Sequence, residues 1–382
     1  MKVAVGHSDD PDSADAIEEI LEHCRATLDG AKPTAAIVYS SLDQDYDVVL
    51  DAIHAAFGDI ALIGCTTDGE LSSEQGFMED SLVVIFFSSE RVRIAVGAGR
   101  MVNEDHRAAA AEAMKQARES LGADIAMCIA LPTRAGDIGS AVTQALVHEA
   151  GEGIPVFGGI AADQWTFDTT YQFFGREVCT NIVPVMLFSA PLALGCGRAA
   201  GWMPIGNRHP AVGNGARIDT IGDRTGLGYY HKYLGTDSTP PSEAPLAIFE
   251  PGRDDYYLLN PVVYDPDAGW IELSQPIPEG CEVQLTQATR DTILEATRQS
   301  VNAAMEEYPG DKPDFGLFFS CAARRQILGT RSHTEEETIR ELTPDALPYA
   351  GFYAYGEIGP GRHGASAFNT VTLISVLVGE CD

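Results

Sequence analysis

The sequence predicts an α/β protein of mixed sheets with flanking helices. Its N-terminal half reads as an internal duplication, followed by a second α/β domain. Three observations carry this. Short apolar runs alternate with segments whose apolar residues recur at helical spacing. The same order of elements occurs twice before residue 202. The composition then becomes rich in Gly and Pro after Trp202-Met203-Pro204. The chain has 382 residues, more than one core of ordinary size, since domains average ~100–200 residues.

The first helix follows Asp12, with Ile17, Leu21, Cys24 and Leu28 on one face, and the second carries Tyr46, Val49, Leu50, Ile53 and Phe57. Around them lie the apolar strands Ala35–Tyr39, Ile60–Ile63 and Leu82–Phe87, and then the alternating Val92, Ile94 and Val96 of a half-buried strand. The order repeats from Asp105, with a helix bearing Ala110, Ala113, Ala117 and Leu121 and then the strand Ile125–Ala130. A helix after Asp137 carries Ile138, Ala141, Val142 and Ala145. Strand Pro155–Phe157 ends in Gly158-Gly159, as Ala61–Ile63 ends in Gly64-Cys65, and Val183–Phe188 and the alternating Leu192, Leu194 and Cys196 close the unit. Residues 12–100 and 105–201 are thus expected to be two copies of one unit. The domains are placed at 1–202 and 203–382. Ligand crevices in α/β sheets lie beyond the carboxyl ends of strands. The loops Gly64–Glu70 and Gly158–Asp163 are therefore expected to face one crevice.

In the second half, strands are expected at Ala247–Phe249, Tyr256–Leu259 and Val283–Leu285. A long helix with Ile293, Val301, Ala304 and Tyr308 on one side follows, and then an apolar strand, Phe315–Phe319. Thr334 with Glu337 reads as a capping box, and Val371–Val378 as a last apolar strand.

The chain has 56 acidic residues against 25 basic ones, a net charge of −31. Such a surface repels phosphate backbones and anionic lipids, so neither nucleic acid nor a membrane is an expected partner. No run approaches the ~18 apolar residues of a membrane helix, and the N-terminus reads as a strand rather than a signal peptide. The eight cysteines form no Cys-x-x-Cys pair; reduced thiols in a cytoplasmic protein are expected.

Motifs for catalysis are missing. No Lys follows a Gly as a phosphate loop requires, and there is no His-Glu-x-x-His and no Gly-x-Ser-x-Gly. Gly195-Cys196-Gly197 matches a relaxed dinucleotide fingerprint, but Trp202 and Pro204 follow too soon for the helix it should open. The protein is expected not to be an enzyme, and neither a cofactor nor a metal is predicted.

Polar or reactive groups gather where strands meet loops. Cys65, Thr66 and Thr67 lie in Gly-Cys-Thr-Thr-Asp-Gly-Glu, Gly158, Gly159 and Asp163 in Gly-Gly-Ile-Ala-Ala-Asp, Cys321 and Arg324 in Ser-Cys-Ala-Ala-Arg, and Tyr353, Tyr355 and Glu357 in Gly-Phe-Tyr-Ala-Tyr-Gly-Glu-Ile. In this order the four segments resemble the FIST family of bacterial and archaeal sensory proteins, which has an N-terminal and a C-terminal FIST domain. The resemblance covers nearly the whole chain. It implies a signal-transduction input module that binds a small ligand such as an amino acid, and a separate signalling partner. Some members are haem-binding nitric-oxide sensors with a His-Asn pair near the C-terminus, where this chain has Phe368-Asn369. Haem is therefore the alternative ligand.

Each residue has more than one use open to it. Arg324 grips a ligand carboxylate or forms a structural ion pair. Glu357 binds an ammonium group, caps a turn or pairs with Arg324. Cys65 and Cys321 are nucleophiles, as in a cysteine-dependent amidohydrolase, or redox sensors, or plain buried thiols. Thr66 and Thr67 bond a ligand or their own loop. Tyr353 and Tyr355, two apart in a strand, are expected to point the same way.

Overall fold

The structure is a computed structural model that describes the chain apart from residues 135–138, 236–242, 363 and 382. The expected helix start at Asp137 and Ile138 lies outside the described residues. In the first unit β1 (Lys2–Ser8), α1 (Ser13–Leu28), β2 (Ala35–Ser40), α2 (Tyr46–Phe57) and β3 (Ala61–Thr66) alternate. A hairpin of β4 (Glu70–Ser72) and β5 (Gly76–Met78) follows, and β6 (Leu82–Ser88) closes the unit. The second unit repeats this with β7 (Ile94–Arg100), α3 (His106–Leu121), β8 (Ile125–Ala130), α4 (Gly139–Ala150) and β9 (Val156–Gly159). Its hairpin is β10 (Gln172–Phe174) with β11 (Glu177–Cys179), and its last strand is β12 (Ile182–Ser189).

A third copy begins at β13 (Leu192–Ala199) and is at once interrupted. Strands β14 (Met203–Pro204), β15 (His209–Asn214), β16 (Arg217–Ile221) and β17 (Arg224–Thr225) come first, then α5 (Gly226–Leu234). With β18 (Leu246–Phe249), β19 (Tyr256–Leu259), β20 (Pro261–Tyr264), β21 (Ile271–Leu273) and β22 (Glu282–Gln287) they form a separate sheet of nine strands. The copy resumes with α6 (Arg290–Glu307), β23 (Phe315–Cys321), α7 (Ala322–Leu328), α8 (His333–Leu342) and β24 (Tyr349–Ala354). The hairpin of β25 (Glu357–Pro360) and β26 (Ser366–Asn369) and the strand β27 (Leu373–Glu380) complete it.

Every copy builds a six-stranded sheet in one order: first strand, last, second, third, then a hairpin lent by another copy. The sheets run β1-β6-β2-β3-β10-β11, β7-β12-β8-β9-β25-β26 and β13-β27-β23-β24-β4-β5. The second and third strands of each copy are parallel. The exchange is cyclic, because the second unit lends to the first, the third to the second and the first to the third. The internal duplication is present, with its frame moved by one strand. Ile94–Arg100 pairs with β12 and opens the second unit, so it does not form a hairpin with β6. Likewise β13 is bonded along its length to β27, and strand pairing runs across residue 203.

One face of each sheet turns toward a shared apolar core, with Ile37, Ile63 and Ile85 from the first, Ile129, Phe157 and Met186 from the second, and Leu317, Phe352 and Val376 from the third. Helices α1 and α2 cover the outer face of the first sheet, α3 and α4 that of the second, and α6 and α8 that of the third. Burial on both faces explains fully apolar strands such as Leu82–Phe87.

The glycine pair rejected above as a dinucleotide fingerprint has a packing role. A Cβ on Gly197 would lie 1.8 Å from the Ser300 carbonyl oxygen of α6, and one on the equivalent Gly99 would lie 1.7 Å from that of Ala109 on α3. Helix and strand backbones touch at these points. Gly197→Ala is therefore expected to cost about 1–3 kcal/mol through forced backbone shifts, as read by urea denaturation. The capping box is also elsewhere. It lies at Thr289 and Thr292, opening α6, whereas the Thr334 hydroxyl, in the first turn of α8, donates back to the Arg331 carbonyl.

Candidate functional site

The carboxyl ends of β3, β9 and β24 meet, so three strand-end loops converge where two were expected. Main-chain bonds close them into a ring. Ala162 N donates to Thr66 O (2.9 Å), Asp68 N to Tyr353 O (2.9 Å), Ile160 N to Gly356 O (2.9 Å) and Tyr355 N to Ile160 O (3.1 Å). The lent hairpins start here at equivalent places, with Glu70 opposite Phe352, Gln172 opposite Cys65 and Glu357 opposite Gly159. All three of these hairpin side chains are buried.

With the hairpins roofing the strand ends, ten of the eleven sequence-predicted residues are buried, Tyr355 alone being partly exposed. Cys65 faces the shared core, and burial pushes its thiol and that of Cys321 far up. A protonated buried thiol is a poor nucleophile, which opposes an amidohydrolase use of either. The Thr66 hydroxyl accepts from Tyr171 N (3.1 Å), and Thr67 donates to the Glu70 carboxyl. Gly158 lets two backbones meet, and Gly159 makes room for neighbouring side chains. A Cβ on Gly158 would sit 1.9 Å from the Ala130 oxygen, and one on Gly159 would sit 2.8 Å from the Ala354 Cβ.

Arg324 is fully buried and points away from the ring. Its donors go to Glu335, the Ala200 oxygen (2.6 Å), the Ile293 oxygen (3.2 Å), Thr297 Oγ1 (2.8 Å) and Ser320 Oγ (3.2 Å). Burial works to raise the Glu335 carboxyl, but Arg324 and the surrounding donors hold it below its ordinary value. The ligand-gripping use of Arg324 gives way to its other reading, a structural ion pair, because each guanidinium nitrogen already has an internal acceptor. The two tyrosines also part company. Tyr353 donates to Glu335 (2.6 Å), whereas Tyr355, one residue past the end of β24, donates to Asp163 (2.8 Å). Glu357 accepts from Thr372 N (3.0 Å) and Oγ1 (2.7 Å).

The neighbouring Arg325 is the arginine that reaches the ring. It donates to Asp68 O (2.8 Å) and Oδ1 (2.7 Å) and pairs with Glu79 (2.9 Å). Burial nevertheless leaves Asp68 raised to about 6. Burial pushes Glu70 and Glu357 up to about 8. His7, between Ser72 Oγ (2.8 Å) and Ser81 Oγ (2.9 Å), is lowered to about 4 by burial.

A cavity of about 910 Å³ opens elsewhere, between the inserted nine-stranded sheet and the third unit. Its walls are Arg198–Met203, from the end of β13 into the following segment, the N-terminal half of α6 with Asp291, Glu295 and Gln299, Tyr256–Leu258 of β19, and Phe368–Thr370 at the end of β26. Arg198 reaches into it. Nη1 donates to Asn369 Oδ1 (2.9 Å), and burial, with Arg362 nearby, lowers its pKa. Arg362 has its own partners, Glu250 (2.8 Å) and Asp255 (2.5 Å). Among the described residues no carboxylate pairs with Arg198. None of the eleven sequence-predicted site residues lines this cavity, though Thr372, the partner of Glu357, does. The strand-end rule that singled out the other loops applies equally to Arg198, which follows Gly197 at the end of β13.

The FIST N domain pattern matches residues 34–212, and the FIST C domain pattern matches residues 227–360. The chain belongs to the FIST family. FIST domains are associated with sensory signal transduction. Uncharacterized proteins of Mycobacterium tuberculosis and Mycobacterium bovis are similar along almost their whole length. The first is 27% identical over 393 residues, 94% of this chain and 95% of that protein, and the second 24% identical over 403 residues, 96% and 97%. Among solved structures, a cyanuric acid hydrolase from A. caulinodans aligns at a TM-score of 0.42 and 9% identity, covering 100% of this FIST protein and 99% of that chain. A second cyanuric acid hydrolase aligns at 0.38 and 10%. Likenesses that distant carry no argument about this chain. Among the described residues, no helix is long and apolar enough to cross a membrane, and no group of side chains has the makings of a metal site.

Proposed function

We propose that this FIST protein is a cytoplasmic sensor whose ligand is a small molecule with an anionic group, an amino acid among the candidates, seated in the 910 Å³ cavity. One observation carries this. Arg198 presents to the cavity a guanidinium that has no carboxylate partner among the described residues, in a chain with net charge −31. A guanidinium enclosed beside a second arginine gains by meeting an anion, and it binds carboxylates in a bidentate, charge-assisted way. Asp291 and Glu295 of α6, which also line the cavity, suit the ammonium end of a zwitterion. Cavities of roughly 300–1,000 Å³ with a few convergent polar groups are typical of small-molecule sites. Eight free cysteines fit a reducing compartment. The signal leaves through a separate partner protein.

The cavity's donor set does not fit haem. Phe368 stands where the resemblance would place histidine, and no imidazole is present among the described lining residues; Met203 is the one thioether. Native mass spectrometry of the freshly purified protein tests the proposal. A non-covalent excess mass, absent from Arg198→Ala, is expected. A bare mass that no added amino acid or other small carboxylate increases counts against it.

A further inference from the structure

We propose that the rim of the three-loop ring carries a second binding site, an aromatic box for an organic cation of the trimethylammonium class, which Arg134 fills from within the chain. This inference stands apart from the cavity at Arg198 and does not depend on it.

The box has three rings from two units. Trp165 and Phe167 lie in the loop after β9, and Tyr355 in the loop after β24. Phe167 stacks on Tyr355 at 5.2 Å between centroids, and Trp165 stands edge-on to both, at 5.5 and 5.9 Å. Two buried carboxylates fix the rings. Asp163 accepts from the Tyr355 hydroxyl (2.8 Å) and from Phe167 N (3.2 Å), while Asp68 accepts from Trp165 Nε1 (3.0 Å). Trp165 N donates to the Tyr355 oxygen (2.6 Å). Gln164, Trp165 and Phe167 all hold left-handed backbone conformations, with φ of 50°, 63° and 52°. Non-glycine residues adopt these only when their surroundings impose them. The loop is therefore held in a strained shape that presents its rings.

A cation already lies against them. The Arg134 guanidinium carbon is 4.7 Å from the Phe167 centroid and 5.8 Å from that of Tyr355. Among the described cation–aromatic contacts it is the one that faces two rings. Its guanidinium donates to no carboxylate among the described residues, and only its main-chain N–H is bonded, to Thr170. The rings are half exposed, Phe167 to 50%, so an outside cation can reach them once Arg134 swings away. Aromatic faces attract weakly hydrated cations most, and buried carboxylates behind the rings strengthen the field. A quaternary ammonium has no donors to satisfy and gains the whole of that attraction, whereas Arg134 competes from inside.

Choline and tetramethylammonium, titrated against a sodium chloride control with tryptophan fluorescence as readout, test this. Arg134→Ala is expected to show saturable quenching at concentrations about tenfold lower than wild type. The response is expected to vanish in R134A/Y355A and in R134A/W165F. If R134A does not fold, Arg134→Met, which keeps the apolar stem over Phe167, is read in the same way. Absence of a Trp165-dependent response in the folded variant overturns the proposal. So does failure of both variants to fold, which makes Arg134 purely structural. A response to acetate that requires Arg134 overturns it too, because Arg134 would then be the receptor.

Discussion

Glu335→Ala is expected to lower the unfolding free energy by about 3–5 kcal/mol, the cost of leaving one partner of a buried ion pair uncompensated. Glu335 is fully buried beneath Arg324 and also receives Tyr353, Ser320 and Thr297. Its removal strands a guanidinium that has only carbonyl and hydroxyl acceptors left. The double replacement Arg324→Met with Glu335→Leu is expected to recover much of the loss, since buried pairs are often replaceable together by apolar groups. Urea denaturation of the single and double variants measures this. A loss below about 1 kcal/mol in E335A, the range of exposed pairs, would mean the network carries little.

The second large effect is on the alkaline side of the stability curve. Glu70 and Glu357 are raised to about 8 in the folded state, so folded protein keeps protons there that the unfolded chain releases above its ordinary value of ~4.3. Their stability contribution is complete at low pH and is lost as pH rises to about 8. Each accounts for about 1.4 kcal/mol per pH unit in that interval. His7 acts in the opposite sense. Its folded pKa of about 4 removes stability as pH falls from ~6.5 toward 4. The clean window is therefore pH 6.5 to 8, where stability is expected to fall with rising pH. Glu70→Gln and Glu357→Gln should each remove about half of that slope. Unchanged slopes in both variants would contradict protonated carboxyls at these positions.

Much of this architecture was legible in the residues. Ile17, Leu21 and Cys24 marked α1, Leu82–Phe87 marked a strand buried on both faces, and the second unit announced itself by repeating the first. The third copy was hidden because residues 203–287 separate β13 from α6, and because Ala-rich α3 and polar α6 share little but shape. The candidate loops were correctly placed at strand ends. Their burial was not legible, since it depends on hairpins that pair with strands a hundred or more residues away, such as Gln172–Phe174 on Ile63–Cys65. Periodicity registers a strand, not the edge that the strand will cover. Arg198 was passed over for a related reason. Gly195 and Gly197 drew attention as a nucleotide fingerprint, whereas their role is to admit α6 and so shape one wall of the cavity.

The most direct test of the proposed function is a thermal-shift comparison of wild type and Arg198→Ala across amino acids and other small carboxylates. At a hundred times its dissociation constant, a ligand should stabilise the wild type by ~2.7 kcal/mol. At least one carboxylate is predicted to do so and to leave R198A unmoved, while the two proteins melt alike without ligand. Equal stabilisation of R198A, or a wild type that no carboxylate stabilises, would contradict an anion site at Arg198.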